Sequence, residues 1–210
     1  MNRKFLNLSK SKQENILNAA ISEFANVGYD RASTDNIVAK AGISKGSLFN
    51  YFSNKQKLYE DVVDYIMAKE QREVRGYLEN IEGEDFYIRL KKLLVTKYYY
   101  TSEHPLEMKL IRDYRNKNSE LKNEKIKQYK KMEIEWLQEY LMAYLNEDSI
   151  RVELKIEDII FVTNTLLEAV FRRHDEMTYL SKETRSAGRL ERELDKYINI
   201  LEYGIYKQSN

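Results

Sequence analysis

Cysteine is absent from this 210-residue chain, so disulfides and thiolate metal sites are excluded. Histidine is nearly absent. His104 and His174 stand far apart and form no H-x-x-x-H pair, which argues against zinc. Proline occurs once, at position 105, and glycine seven times. With so few breakers, long uninterrupted helices are expected. No apolar run approaches the ~20 residues that span a bilayer. Residues 1–12 are polar and basic without a long apolar core, so no secretory signal is expected and a cytoplasmic location is the default. Enzyme signatures are missing as well. There is no Glu-x-x-His pair of a di-iron bundle, no P-loop and no Rossmann glycine pattern. Acids such as Glu168 and Asp175 have no supporting base, so an all-helical enzyme is a poor reading and no cofactor is expected.

What is present is a globular balance, 42% hydrophobic and 33% charged. The net charge of +1 hides an asymmetry. Residues 1–60 hold nine Lys/Arg and five acids, a net +4, and the remainder carries −3. A basic head on a mildly acidic body suits a polyanionic partner at the head.

Helical spacing dominates the chain. Ile16, Leu17, Ala20, Ile21 and Phe24 share one face of a predicted helix over 10–27, with Gly28 placed to cap it. The basic residues before it (Arg3, Lys4, Lys10, Lys12) read either as a frayed tail or as an arm toward that polyanion. Two short helices follow, over 34–40 and 45–51. Ser33 and Ser44 are suited to cap them, with Asp35 in the first turn of the former. Asn54, also suited to cap, precedes a longer helix over 55–77. Further helices are expected over 85–102, 105–114, 121–145, 156–177 and 183–207, with turns at 80–84, 116–119 and 146–149. The fold class is all-α, with about nine helices in total.

Residues 33–58 carry the functional signal. Two short helices flank a tight Ala41-Gly42-Ile43 turn, with Ile37, Val38, Ala41, Ile43, Leu48 and Phe52 directed inward. Ala39 and Ala41 are small enough for close helix approach, and Gly42 supplies backbone freedom. This is a helix-turn-helix layout, whose second helix enters the major groove. Its outward positions are Lys45, Gly46, Ser47, Asn50 and Tyr51, with groups able to meet base edges or phosphates.

With Phe24, Gly28, Tyr29, Thr34, Ile37, Ala41, Gly42, Ser44, Gly46, Leu48, Tyr51, Phe52, Lys55 and Leu58 at matching spacing, the N-terminal third resembles the TetR family of regulators. The resemblance implies a DNA-binding domain over 1–54 and a helical ligand-binding and dimerisation domain over 55–210, with 55–77 as the connecting helix. It implies that Thr34 and Lys55 contact phosphates and that Lys45, Gly46, Ser47 and Asn50 face the bases. Phe49 departs from the family's usual Tyr. It keeps the ring and lacks the hydroxyl, which Tyr51 is placed to supply instead.

In the body, Leu190, Leu194, Ile198, Leu201 and Ile205 recur at near-heptad spacing, and Ile159, Leu166 and Val170 lie on a helix that is apolar on several sides. An ordinary monomer core explains this stripe as well as a homodimer interface does, and the resemblance implies the interface. The middle of the chain is rich in aromatics and methionine. Tyr98, Met108, Ile111, Tyr129, Met132 and Trp136, with Tyr140, would line either an apolar cavity or a filled core. Asn164, Glu168 and His104 are candidate polar groups for a ligand. The resemblance implies a small-molecule inducer, for which these side chains would suit an apolar or aromatic molecule, and a repressor that binds a palindromic operator. A DNA-binding protein with a structural or cell-division role and no inducer is the alternative.

Overall fold

The structure is a computed structural model. It describes residues 1–78, 85–117, 124–142, 153–155, 158–159, 161–163, 165–166, 169–170 and 187–205. No strand occurs among the described residues, in accord with the all-α expectation. The helices are α1 (Arg3–Leu6), α2 (Lys10–Arg31), α3 (Thr34–Ala41), α4 (Lys45–Phe52), α5 (Lys55–Leu78), α6 (Phe86–Glu103), α7 (Pro105–Lys117), α8 (Glu124–Met142) and α9 (Ala187–Ile205). None is long and apolar enough to cross a membrane. The turns expected at 80–84 and 146–149 lie outside the described residues, and α7 runs on through Asn116 and Lys117. Packing divides the chain into two units, Met1–Arg72 with His104–Lys130 and Glu73–Glu103 with Lys131–Asn210.

In the first unit, α2 is the central element and packs against α3 and α7. The apolar face read from its sequence is buried throughout. The predicted stop at Gly28 takes a different form. The backbone turns at φ 77°, ψ 163°, a conformation open almost only to glycine, and one further helical turn runs to Arg31. The residues before α2 are not a frayed tail. Asn2 caps α1, its Oδ1 accepting from Phe5 N at 3.0 Å. Phe5 is fully buried, its ring 4.9 Å from that of Phe52.

The three predicted caps all form. Ser33 Oγ accepts from Asp35 N at 3.2 Å, Ser44 Oγ from Ser47 N at 3.1 Å and Asn54 Oδ1 from Lys57 N at 2.7 Å. Between α3 and α4, Gly42 is left-handed at φ 65°, ψ 36°. The N–H groups of Gly42 and Ile43 return to Ala39 O and Val38 O, a Schellman closure. Ile37, Ala41, Leu48 and Phe52 are buried, and Val38 and Ile43 are partly so. Ala39 is exposed, so close approach of the two helices rests on Ala41.

In the second unit, α9 packs along α6, with an ion pair between Lys91 and Asp195. Asp85 Oδ1 accepts from the first-turn N–H of Ile88 at 3.4 Å and opens α6. Six of the candidate dimer residues, Ile159, Val170, Leu190, Leu194, Ile198 and Leu201, are buried within the single chain. Leu166 is half-buried, and the side chain of Ile205 lies outside the described residues. The apolar groups left at the surface of the same elements are others: Phe161 (70% exposed), Val162, Ile200 (61%) and Tyr203 (73%).

Candidate nucleic-acid interface

The local sequence fixes α4 at both ends and along one face. Ser44 caps its start and Leu48 and Phe52 anchor it in the core. At its end, Ser53 takes a positive φ of 62° and Asn54 N donates back to Phe52 O at 2.6 Å, a tight γ-type turn into α5. The opposite face holds the predicted outward residues. Lys45, Gly46 and Asn50 are exposed, and Ser47 and Tyr51 are half-buried. The Ser47 hydroxyl lies 2.9 Å from that of Ser44. Phe49 is half-buried, and the Tyr51 ring meets Phe5 edge-on at 6.2 Å.

Gly46 is informative because the fold does not require it. A Cβ built there would meet only Ser44 Oγ, at 3.9 Å, an ordinary contact. A glycine inside a helix costs about 0.5–1 kcal/mol relative to alanine. Carrying that cost on an exposed face fits a surface on which another molecule's backbone must come close.

The cations near this face are held, not loose. Lys45 Nζ lies 2.8 Å from Asp35 Oδ1 and 3.0 Å from Oδ2. Lys55 Nζ donates to the carbonyl of Asp30 at 3.2 Å and sits 4.9 Å from the centre of the Tyr29 ring. Thr34 opens α3, half-buried. Thr34, Lys45 and Lys55 therefore stand at the starts of three successive helices. Helix N-termini are where backbone N–H groups and the dipole favour phosphate.

Two features of this region escape a local reading of the sequence. Glu23, buried on α2, accepts from Ser33 N at 3.1 Å and Asn36 Nδ2 at 3.0 Å, with Lys40 Nζ 3.6 Å away. The backbone N–H of Ser33 above all holds its carboxyl below the ordinary value. Asn36 and Lys40 act the same way, against the opposing effect of burial. This clasp sets α3 on α2. The second feature is α1, which brings Asn2 and Lys4 against Asn50. The signals for it are a lone Phe5 in a polar stretch and a capping Asn2 three residues earlier.

The candidate ligand residues fall into two groups. Met108, Ile111 and Tyr129 pack on the core of the first unit, where Tyr129 Oη donates to Glu70 at 3.3 Å. His104 lies in the same unit, its Nδ1 3.4 Å from Lys69 Nζ, with Lys69 paired to Glu107 at 2.9 Å. Tyr98, Met132 and Trp136 belong to the second unit. There Tyr98 is buried, Met132 is 56% exposed and Trp136 stacks on Tyr140 at 5.5 Å. Arg75 lies over the Trp136 ring at 5.0 Å and Arg89 over Tyr140 at 4.6 Å. Asn164 and Glu168 lie outside the described residues.

Known proteins share both the pattern and the fold. Residues 16–62 match the family model for bacterial regulatory proteins of the tetR family. The uncharacterized HTH-type transcriptional regulator YvdT of Bacillus subtilis (strain 168) is 32% identical over 96 residues, 46% of this chain and 48% of YvdT. That match spans about half of the relative's length. The HTH-type transcriptional regulator QacR of Staphylococcus aureus is 27% identical over 162 residues, 75% of this chain and 81% of QacR. A TetR family transcriptional regulator from Chloroflexus aurantiacus J-10-FL superposes over 99% of both chains with a TM-score of 0.69 at 19% identity, a likeness of fold.

Proposed function

Since this chain belongs to the TetR family of DNA-binding transcriptional regulators, we propose that it is a ligand-responsive repressor, binding a palindromic operator as a homodimer and released by a small molecule. The observation that carries this reading is the outer face of α4. It is exposed, rigidly capped, rooted by Leu48 and Phe52, and built from Lys45, Gly46, Ser47 and Asn50 around a glycine that the fold itself does not need. In this reading Lys45, Ser47 and Asn50 meet base edges, Gly46 allows close approach, and Thr34, Tyr51 and Lys55 hold phosphates. Phe49 contributes ring packing.

One helix-turn-helix reads few bases, and a two-fold pair reads half-sites about 34–36 Å apart. Exposed Phe161, Val162, Ile200 and Tyr203 supply an apolar surface for a second copy, and the heptad stripe of α9 serves the chain's own core. The inducer, of apolar or aromatic character, belongs to the helical body. Release requires that it bind the DNA-free conformer more tightly than the DNA-bound one, because equal affinity shifts no population. The working location is the cytoplasm, where the DNA is.

The test is fluorescence anisotropy on DNA from upstream of the protein's own gene and on a scrambled duplex, over a range of salt. Sequence-selective binding that weakens with salt supports the reading. Binding indifferent to sequence throughout the genome, with no small-molecule effect, contradicts it.

A further inference from the structure

We propose that Lys4 is a specificity-determining residue. By occupying the Asn50 amide oxygen it makes Asn50 a pure donor, so that this position of α4 reads guanine rather than adenine. This rests on the DNA-reading function proposed above and goes beyond it to the base preference.

The geometry is local and well anchored. Lys4 Nζ donates to Asn50 Oδ1 at 2.6 Å, and Asn2 Nδ2 donates to the Asn50 carbonyl at 2.8 Å. Buried Phe5, next to Lys4 in the sequence, fixes α1 against Tyr51 and Phe52. The ammonium is thus delivered to Asn50 by a short helix with its own hydrophobic root. Asn50 itself is exposed on the outer face.

An asparagine amide carries one acceptor oxygen and two N–H donors. Reading adenine uses both kinds. The oxygen accepts from the base's N6 amine while the nitrogen donates to N7. An ammonium only donates, and its charge-assisted bond is stronger than a neutral one. With Lys4 on the oxygen, an adenine amine would meet a donor where it needs an acceptor. The free Nδ2 donors match guanine, which offers N7 and O6 as adjacent acceptors, and the remaining Lys4 N–H groups add to that preference. Thymine offers one acceptor beside a methyl group and is the poorer fit.

The experiment is selection of duplexes from a randomised pool by the full-length protein, in four forms: wild type, Asn50→Ala, Lys4→Met and Lys4→Arg. The position that loses its preference in Asn50→Ala identifies the base read by Asn50. There the wild type should select G·C, by about tenfold over A·T in direct titration. Lys4→Met should shift the choice to A·T, and Lys4→Arg, which still donates, should keep G·C. Lys4 is exposed, so unchanged thermal melting of these variants would show that the fold is intact. The same base selected by wild type and Lys4→Met, or no position altered in Asn50→Ala, overturns the proposal. If the wild type enriches no sequence at all, the DNA-reading function fails first and this inference falls with it.

Discussion

Lys45 at the start of α4 is ion-paired with Asp35 in the first turn of α3, at 2.8 Å, with both side chains largely exposed. The carboxylate occupies the cation that the proposed function assigns to DNA. Binding therefore exchanges one anion for another and leaves Asp35 facing the duplex. Asp35→Asn should tighten binding several-fold at low salt. It should also steepen the dependence of log K on log[salt] by about one unit, because Lys45, no longer neutralised by Asp35, then displaces one more counterion from the DNA. Titrations at four or five salt concentrations measure both. The same change removes a favourable first-turn charge from α3, about 0.3–1 kcal/mol, so thermal stability should fall slightly while affinity rises.

Gly46 supplies a substitution with opposite signs in two assays. Alanine fits the space and is the better helix former, so Gly46→Ala should raise stability by about 0.5–1 kcal/mol. If the position meets DNA closely, operator affinity should fall in the same protein by tenfold or more. Denaturant melts and anisotropy on one preparation decide it. A stabilised variant with unchanged affinity would remove Gly46 from the interface.

Glu23 should make the head acid-sensitive. Its carboxyl lies below the ordinary value in the folded chain, so the unfolded state binds more protons as the pH falls toward and below about 4.5. The stabilisation is thus fully present above that range and is lost on acidification through the folded value. Glu23→Gln keeps the shape but removes the charge, and should destabilise by about 1–3 kcal/mol at pH 7. The difference from wild type should shrink at acid pH. Melts at pH 7 and pH 3.5 test this.

Ile200 and Tyr203 distinguish the two apolar faces of α9. Ile200→Glu with Tyr203→Glu should leave the monomer folded and shift sedimentation from dimer to monomer, since both side chains are exposed in the single chain. Leu194→Glu should instead unfold the second unit, because it puts a charge into the packing against α6. A dimer that survives the double surface change places the contact elsewhere.

Features set by neighbours in sequence were legible, and features set by distant partners were not. Ser33, Ser44 and Asn54 were readable as caps because a cap answers N–H groups two or three residues on. Gly42 was readable from the turn it makes possible. The Glu23 clasp spans 10 and 13 residues to its partners, and nothing local marks it. The stripe Leu190, Leu194, Ile198, Leu201 announced burial, but apolar spacing does not say what covers it. The structure puts the chain's own α6 alongside α9. The residues that touch Asn50 come from 46 and 48 positions away, so Asn50 could be named while its hydrogen-bonding character could not.

The short helix α1 also constrains the order in which the head assembles. Four residues form too little helix to persist alone, since nucleation costs more than one or two hydrogen bonds return. Its existence depends on Phe5 finding a socket whose walls include Tyr51 and Phe52. It must therefore condense after α4 is in place, and it would be the first part to peel away. Protease cleavage near Arg3 and Lys4 would then report on the reading helix itself. The first residues should resist trypsin only while α4 is correctly docked, well before any global probe registers a loss of fold.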